Sequence, residues 1–153
     1  MASREDLYAK FGIAAEAAQL LETELGTMIL CLRGLENGWH IIPDAEAGRI
    51  ELEEIDSSTL GRLLKNLKGR VELKDDLEPR FSSALAARNR LIHGFYERHN
   101  FKIQTEIGRD EMIADLDLLH NELFEAWQIA SAMTSMISDF ILASKPQKSQ
   151  GVP

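Results

Sequence analysis

Between residues 88 and 93 the chain places a guanidinium, a carboxamide and an imidazole, in the run Arg88-Asn89-Arg90-Leu91-Ile92-His93. In a helix this run covers about one and a half turns. An imidazole exchanges protons near neutrality, and a planar guanidinium keeps its charge while gripping two oxygens at once. The same residues also have plain structural readings. Arg88 can form a salt bridge, Asn89 can be solvated, and His93 can stand at a helix C-terminus, where a cation suits the dipole. Other reactive side chains carry less. Cys31 lies near a buried stripe with no histidine beside it and reads as a core thiol. His120, with Asp117 or Glu122 nearby, reads as a surface histidine on an acidic helix, and His40 beside Trp39 has no assignable role. No Gly-rich phosphate loop, H-E-x-x-H or nucleophile elbow occurs, so neither metal nor cofactor is called for.

The element that must position these groups is a helix expected from Asp75 to His93 and broken by Gly94. With Phe81 at zero and about 100° per residue, Ala84, Leu85, Leu91 and Ile92 fall in one apolar arc, and Arg88 falls inside it. A guanidinium in that arc must pair with an acid, reach the rim or face a polar cavity. Asp115, Asp117, Glu122 and Glu125 of the last helix read as a solvated face, from which one could serve as its partner. A second stripe holds Ser82, Ala86, Asn89 and His93, small and polar residues that suit a partner helix such as a second copy of the same one.

Around this helix the periodicity predicts an all-α, antiparallel helical bundle of two long and two or three shorter helices. Residues 4 to about 35 carry Leu7, Phe11, Ala14, Ala18, Leu21, Leu25, Met28 and Leu32 on one face, with Ser3 and Asp6 as a capping box. Trp39 to Asp56 reads as a loop with a strand-like alternation at Arg49-Ile50-Glu51-Leu52-Glu53. Ser57 or Ser58 is expected to cap a short helix through Leu60 to Leu67, closed by Gly69, and Phe95 to Gly108 reads as a turn and irregular connection. The last helix is expected from Asp110, with Ile113, Leu116, Leu119, Leu123, Trp127, Ala130, Met133, Ile137 and Ile141 on one stripe. Trp127, Met112, Met133 and Met136 read as core or subunit interface. Residues 1–144 form one domain in this reading, and 145–153 a disordered tail.

Composition sets the frame. The 153 residues, 44% apolar and 27% charged, are those of an ordinary globular domain. One cysteine excludes an internal disulfide, and the start MASREDLYAKFG lacks the pattern of a secretory signal, so the expected compartment is the cytoplasm, with no membrane partner. The net charge of −8 argues against a nucleic-acid partner, but ten basic against five acidic residues between Gly61 and Lys102 make the middle third locally positive.

The string Ala87-Arg88-Asn89-Arg90-Leu91-Ile92-His93-Gly94-Phe95-Tyr96 resembles the signature of the HEPN superfamily, an Arg followed by a polar residue and then, after four to six intervening positions, a His near a helix end. The Thr59-Leu60-Gly61 entry, the short basic helix and the flanking long helices extend the resemblance over roughly residues 4 to 144. It implies a compact helical bundle that dimerises with the motifs facing each other. Many members are metal-independent endoribonucleases in toxin–antitoxin, phage-defence or RNA-processing systems. The resemblance makes Arg88, Asn89 and His93 the catalytic candidates, with RNA as substrate and an antitoxin as a possible partner. Arg90, Arg98, His99 and Lys102 are then candidates for tracking the RNA backbone, and Tyr96 or Phe95 for stacking on a base, with a core role the other reading of Phe95. One toxin branch carries a tyrosine two residues after the His. Here that position is Phe95, and Tyr96 follows, so the modification that this tyrosine receives does not carry over. A non-catalytic HEPN-like binding module is the alternative reading, and a helical scaffold in which the motif is coincidental is a third.

Overall fold

In the computed structural model, which describes residues 1–146, the chain starts on the expected capping box. The Ser3 hydroxyl accepts from the Asp6 N–H while the Asp6 carboxylate accepts from the Ser3 N–H, satisfying two donors at the start of α1 (Arg4–Glu36). The other helices are α2 (Ala45–Asp56), α3 (Leu60–Arg70), α4 (Leu77–Ile92), the short α5 (Phe95–His99) leading into a 3-10 turn (Asn100–Gln104), and α6 (Glu106–Ser144). No strand occurs among the described residues, and no described helix is long and apolar enough to cross a membrane. Residues 147–153 of the expected tail lie outside the described residues.

Side-chain pairs fix the helix directions. Gly26 meets Ile55 and Arg33 pairs with Glu51, so α1 and α2 run antiparallel. Lys68 pairs with Glu78 and Gly61 faces Leu85, which sets α4 against α3, and Arg90 to Asp115 with Arg80 to Glu125 sets α6 against α4. Ala2 with Asp110 and Lys10 with Asp117 show that the two long helices, α1 and α6, run parallel, which corrects the antiparallel expectation for this pair: the chain reverses between neighbouring helices, and α2, α3 and α4 intervene. Their shared interface buries Leu7, Leu21, Leu25, Met28 and Ile29 of α1 in one core with Met112, Leu116 and Leu123 of α6.

The segment expected as a loop from Trp39 to Asp56 is largely helix. Asp44 accepts from the Ala47 N–H and starts α2, and Arg49 bridges Glu46 and Glu53 along the outer face. The apolar members of the strand-like alternation, Ile50 and Leu52, are 54% and 44% exposed, while Glu51 and Ile55 turn inward. A period-two pattern needs a neighbouring strand to give it meaning, and here Ile55 instead docks on Gly26, where a Cβ would lie 2.6 Å from Ile55 Cγ2. The cap of α3 is Thr59, whose hydroxyl accepts from the Arg62 N–H, whereas Ser57 and Ser58 donate back to the Glu54 carbonyl. The helix runs through Gly69 to Arg70. The connection expected to be irregular after Gly94 contains α5 and the 3-10 turn, and α6 starts at Glu106 rather than near Asp110, with Thr105 as its cap.

Candidate functional site

The buried side of α4 is Phe81, Ala84, Ala87 and Leu91. These residues centre the inward direction about 65° away from Phe81, not on it. That rotation leaves Leu85 half-buried and Ile92 46% exposed against expectation, while Arg88, about 45° from the inward direction, reaches the rim of the core through its long side chain. Ser82, Ala86, Asn89 and His93 are all exposed on the outer side.

At that rim Arg88 meets a carboxylate that the spacing of α4 did not indicate. Its Nε donates to Oε1 of Glu22 on α1 at 3.2 Å, with the two side chains 19% and 30% exposed. None of the last helix's acids takes this place, and the solvated face expected of them is corrected: Asp115, Asp117 and Glu125 pair with Arg90, Lys10 and Arg80. Glu22 follows Leu21 and precedes Leu25 by three positions, at the edge of the buried stripe of α1, and that edge position was the available signal.

Arg88 also turns toward the motif. Its Nη1 lies 3.3 Å from Asn89 Oδ1 and 3.5 Å from His93 Nε2. Pairing with an acid and facing the histidine are thus simultaneous, one through each edge of the guanidinium. On an ideal helix His93 would point about 140° away from Arg88. It reaches back from the C-cap position, where its φ of −110° departs from the helical value, and Gly94 follows at φ +89°. A left-handed residue at this place is cheap only for glycine. A guanidinium offers only donors, so its contact with His93 is a hydrogen bond only where Nε2 presents a lone pair. Nη2 of Arg88 has no hydrogen-bond partner among the described residues.

The remaining candidates are not gathered there. Arg90 and His99 both bind Oδ2 of Asp115, each at 2.7 Å, and form a clasp of α4, α5 and α6. Burial pushes the Asp115 carboxyl up, but the hydrogen bonds from His99 and Arg90 outweigh it and hold the group below the usual carboxylate range. Lys102 pairs with Glu111 at 2.8 Å. Arg98 is exposed with no ion pair among the described residues. Phe95 is buried against His99, whereas Tyr96 is 38% exposed with its ring on Phe11 and Phe95, and burial together with Tyr8 raises its phenol pKa.

Elsewhere, Cys31 is half-buried, and burial and then Glu24 raise its thiol pKa, which keeps it protonated at neutral pH. His120 stacks on Phe124 with ring centroids 5.5 Å apart. Comparison with protein-family models, curated proteins and solved structures finds no match to this chain.

Proposed function

We propose that the chain is a metal-independent endoribonuclease of HEPN type, with Arg88, Asn89 and His93 as its catalytic residues. The observation that carries this reading is the guanidinium of Arg88, fixed at Nε by Glu22 while Nη1 faces both Asn89 and His93. A phosphate placed there would meet the unspent donors of Nη2 and draw Nη1 away from its 3.5 Å contact with Nε2, which frees the imidazole lone pair. Neutral His93 takes the proton of the 2′-hydroxyl, the 2′-oxygen bonds to phosphorus, and the bond from phosphorus to the 5′-oxygen breaks. Arg88 stabilises the charge that builds on the phosphorane, with Asn89 orienting the imidazole or the phosphate. The leaving 5′-oxygen accepts a proton, and the products are a 2′,3′-cyclic phosphate and a 5′-hydroxyl. The exposed stripe of Ser82, Ala86, Asn89 and His93 supports a homodimer in which His93 of the partner subunit supplies that proton.

One observation favours a non-catalytic HEPN-like module instead. Arg88, Arg90 and Lys102 already pair with Glu22, Asp115 and Glu111, which leaves few free cations for RNA on a chain of charge −8. Mixed RNA incubated in EDTA with the wild type and His93→Ala, purified side by side, separates the readings. Cleavage by the wild type alone, ending in 2′,3′-cyclic phosphate, is the expected result. Equal cleavage by both proteins, or by neither across varied RNAs and ionic strengths, would leave the binding module as the better account.

A further inference from the structure

Glu22 has a second neighbour besides Arg88. It lines a cavity of about 220 Å³ between α1, α2 and α3, together with Thr23, Thr27, Asp56 and Ser58 and aliphatic walls that include Leu63. That volume falls below the roughly 300–1,000 Å³ of drug-sized sites and suits a single heterocycle rather than a whole nucleotide. We propose that this cavity is a base subsite for guanine, the base of the nucleotide on the 5′ side of the cut. The inference rests on the ribonuclease reading.

The hydrogen-bonding character of the lining carries the choice of base. Thr27 donates its hydroxyl hydrogen to the Thr23 carbonyl and Ser58 donates to the Glu54 carbonyl, so both present only lone pairs to the cavity. Glu22 and Asp56 are acceptors as well. Among the lining side chains, Thr23 alone has a hydroxyl hydrogen with no acceptor among the described residues. A lining of this kind needs a ligand edge with adjacent donors. Guanine offers N1–H and the N2 amino group side by side, with O6 next to them for Thr23. Adenine and cytosine present one amino group beside a ring nitrogen acceptor, and uracil one N–H between two carbonyls, so each would set lone pairs against a carboxylate. The position agrees with the chemistry, because Glu22 touches the same guanidinium whose other edge faces His93. A base in the cavity would hold its 3′-phosphate toward Arg88. A lysine or arginine from a protein partner would also meet acceptors, but its head group carries only donors and offers nothing to the Thr23 hydroxyl, which guanine O6 would satisfy.

Titration calorimetry of the full chain with the guanosine, adenosine, cytidine and uridine 3′-monophosphates tests the subsite independently of cleavage. Guanosine 3′-monophosphate is expected to bind about ten-fold tighter than the others, the discrimination typical of one bidentate contact. Thr27→Phe fills the cavity from an exposed position and should abolish the preference, and Asp56→Asn should weaken it, with melting curves confirming that both variants fold. Equal affinity for the four nucleotides, a preference that survives Thr27→Phe, or binding of spermine or N-acetyl-arginine amide in place of any nucleotide would overturn the subsite. RNA cut in EDTA without regard to guanine would overturn it too, while the ribonuclease reading stood. Guanosine selectivity in a protein that cuts no RNA would support the subsite and remove the catalytic reading.

Discussion

In the proposed ribonuclease Arg88 serves the packing and the chemistry at once. Its Nε bond to Glu22 is partly shielded, so losing it costs more than an exposed pair and less than a buried one; Arg88→Ala should lower stability by about 1–2 kcal/mol in urea unfolding. Arg88→Lys is the sharper probe. A lysine can keep a charge beside Glu22 but has no fork for phosphoryl oxygens, so cleavage should fall by about 100-fold or more while the melting temperature moves little. Undiminished cleavage by Arg88→Lys would remove Arg88 from the mechanism. Asp115 belongs to the packing side, and its sign can be worked out. Its folded-state pKa lies below the ordinary carboxylate value, so its contribution is complete above the unfolded value of about 3.9 and is lost as pH falls through the folded one. Asp115→Asn should therefore be about 1 kcal/mol less stable than wild type at pH 7, with the gap closing below about pH 4. A gap that persists unchanged at pH 2 would contradict this account.

At the scale of elements, the close approaches are made by glycines, and their consequences differ by position. A Cβ on Gly108 would fall on the carbonyl of Lys102, because the 3-10 turn folds directly against the first turn of α6. Backbone cannot yield as a side-chain tip can, so Gly108→Ala should destabilise by about 3 kcal/mol or more and loosen the clasp of His99 and Arg90 on Asp115. Gly12, exposed in the middle of α1, has nothing within 4 Å of its Cβ position, and Gly12→Ala should stabilise by about 0.5–1 kcal/mol. Thermal melts of the pair should move in opposite directions, and a shared sign would show that the turn does not sit where it is described.

The whole molecule joins a strongly acidic chain to a locally basic middle segment, and α4 turns an outer face of small residues to solvent. An uncharged, low-relief face lets another helix come close, and on a chain of net charge −8 it is a place where two copies meet with little repulsion. Sedimentation at micromolar protein should give a dimer. Ala86→Glu, at an exposed position, should give a folded monomer with impaired cleavage; a wild-type monomer, or a variant that stays dimeric, would end the paired-site model.

Helix periodicity and capping determined much of this protein before any tertiary contact. The Ser3 and Asp6 box, the long apolar stripes of α1 and α6 and the break at Gly94 are local, set by hydrogen bonds and spacing within a few residues. The motif from Arg88 to His93 was equally legible, but not its geometry. Where the inward side of α4 lies is settled by what packs on it, which put Ile92 into solvent. The partner Glu22 lies 66 positions away, and no local pattern links it to Arg88. Arg90 and His99, basic residues that spacing offered to a nucleic acid, are held by Asp115 because three elements converge there. The alternation in α2 misled for the same reason: a short apolar pattern acquires a direction only from its neighbour, and that neighbour was a helix with a glycine at the point of contact.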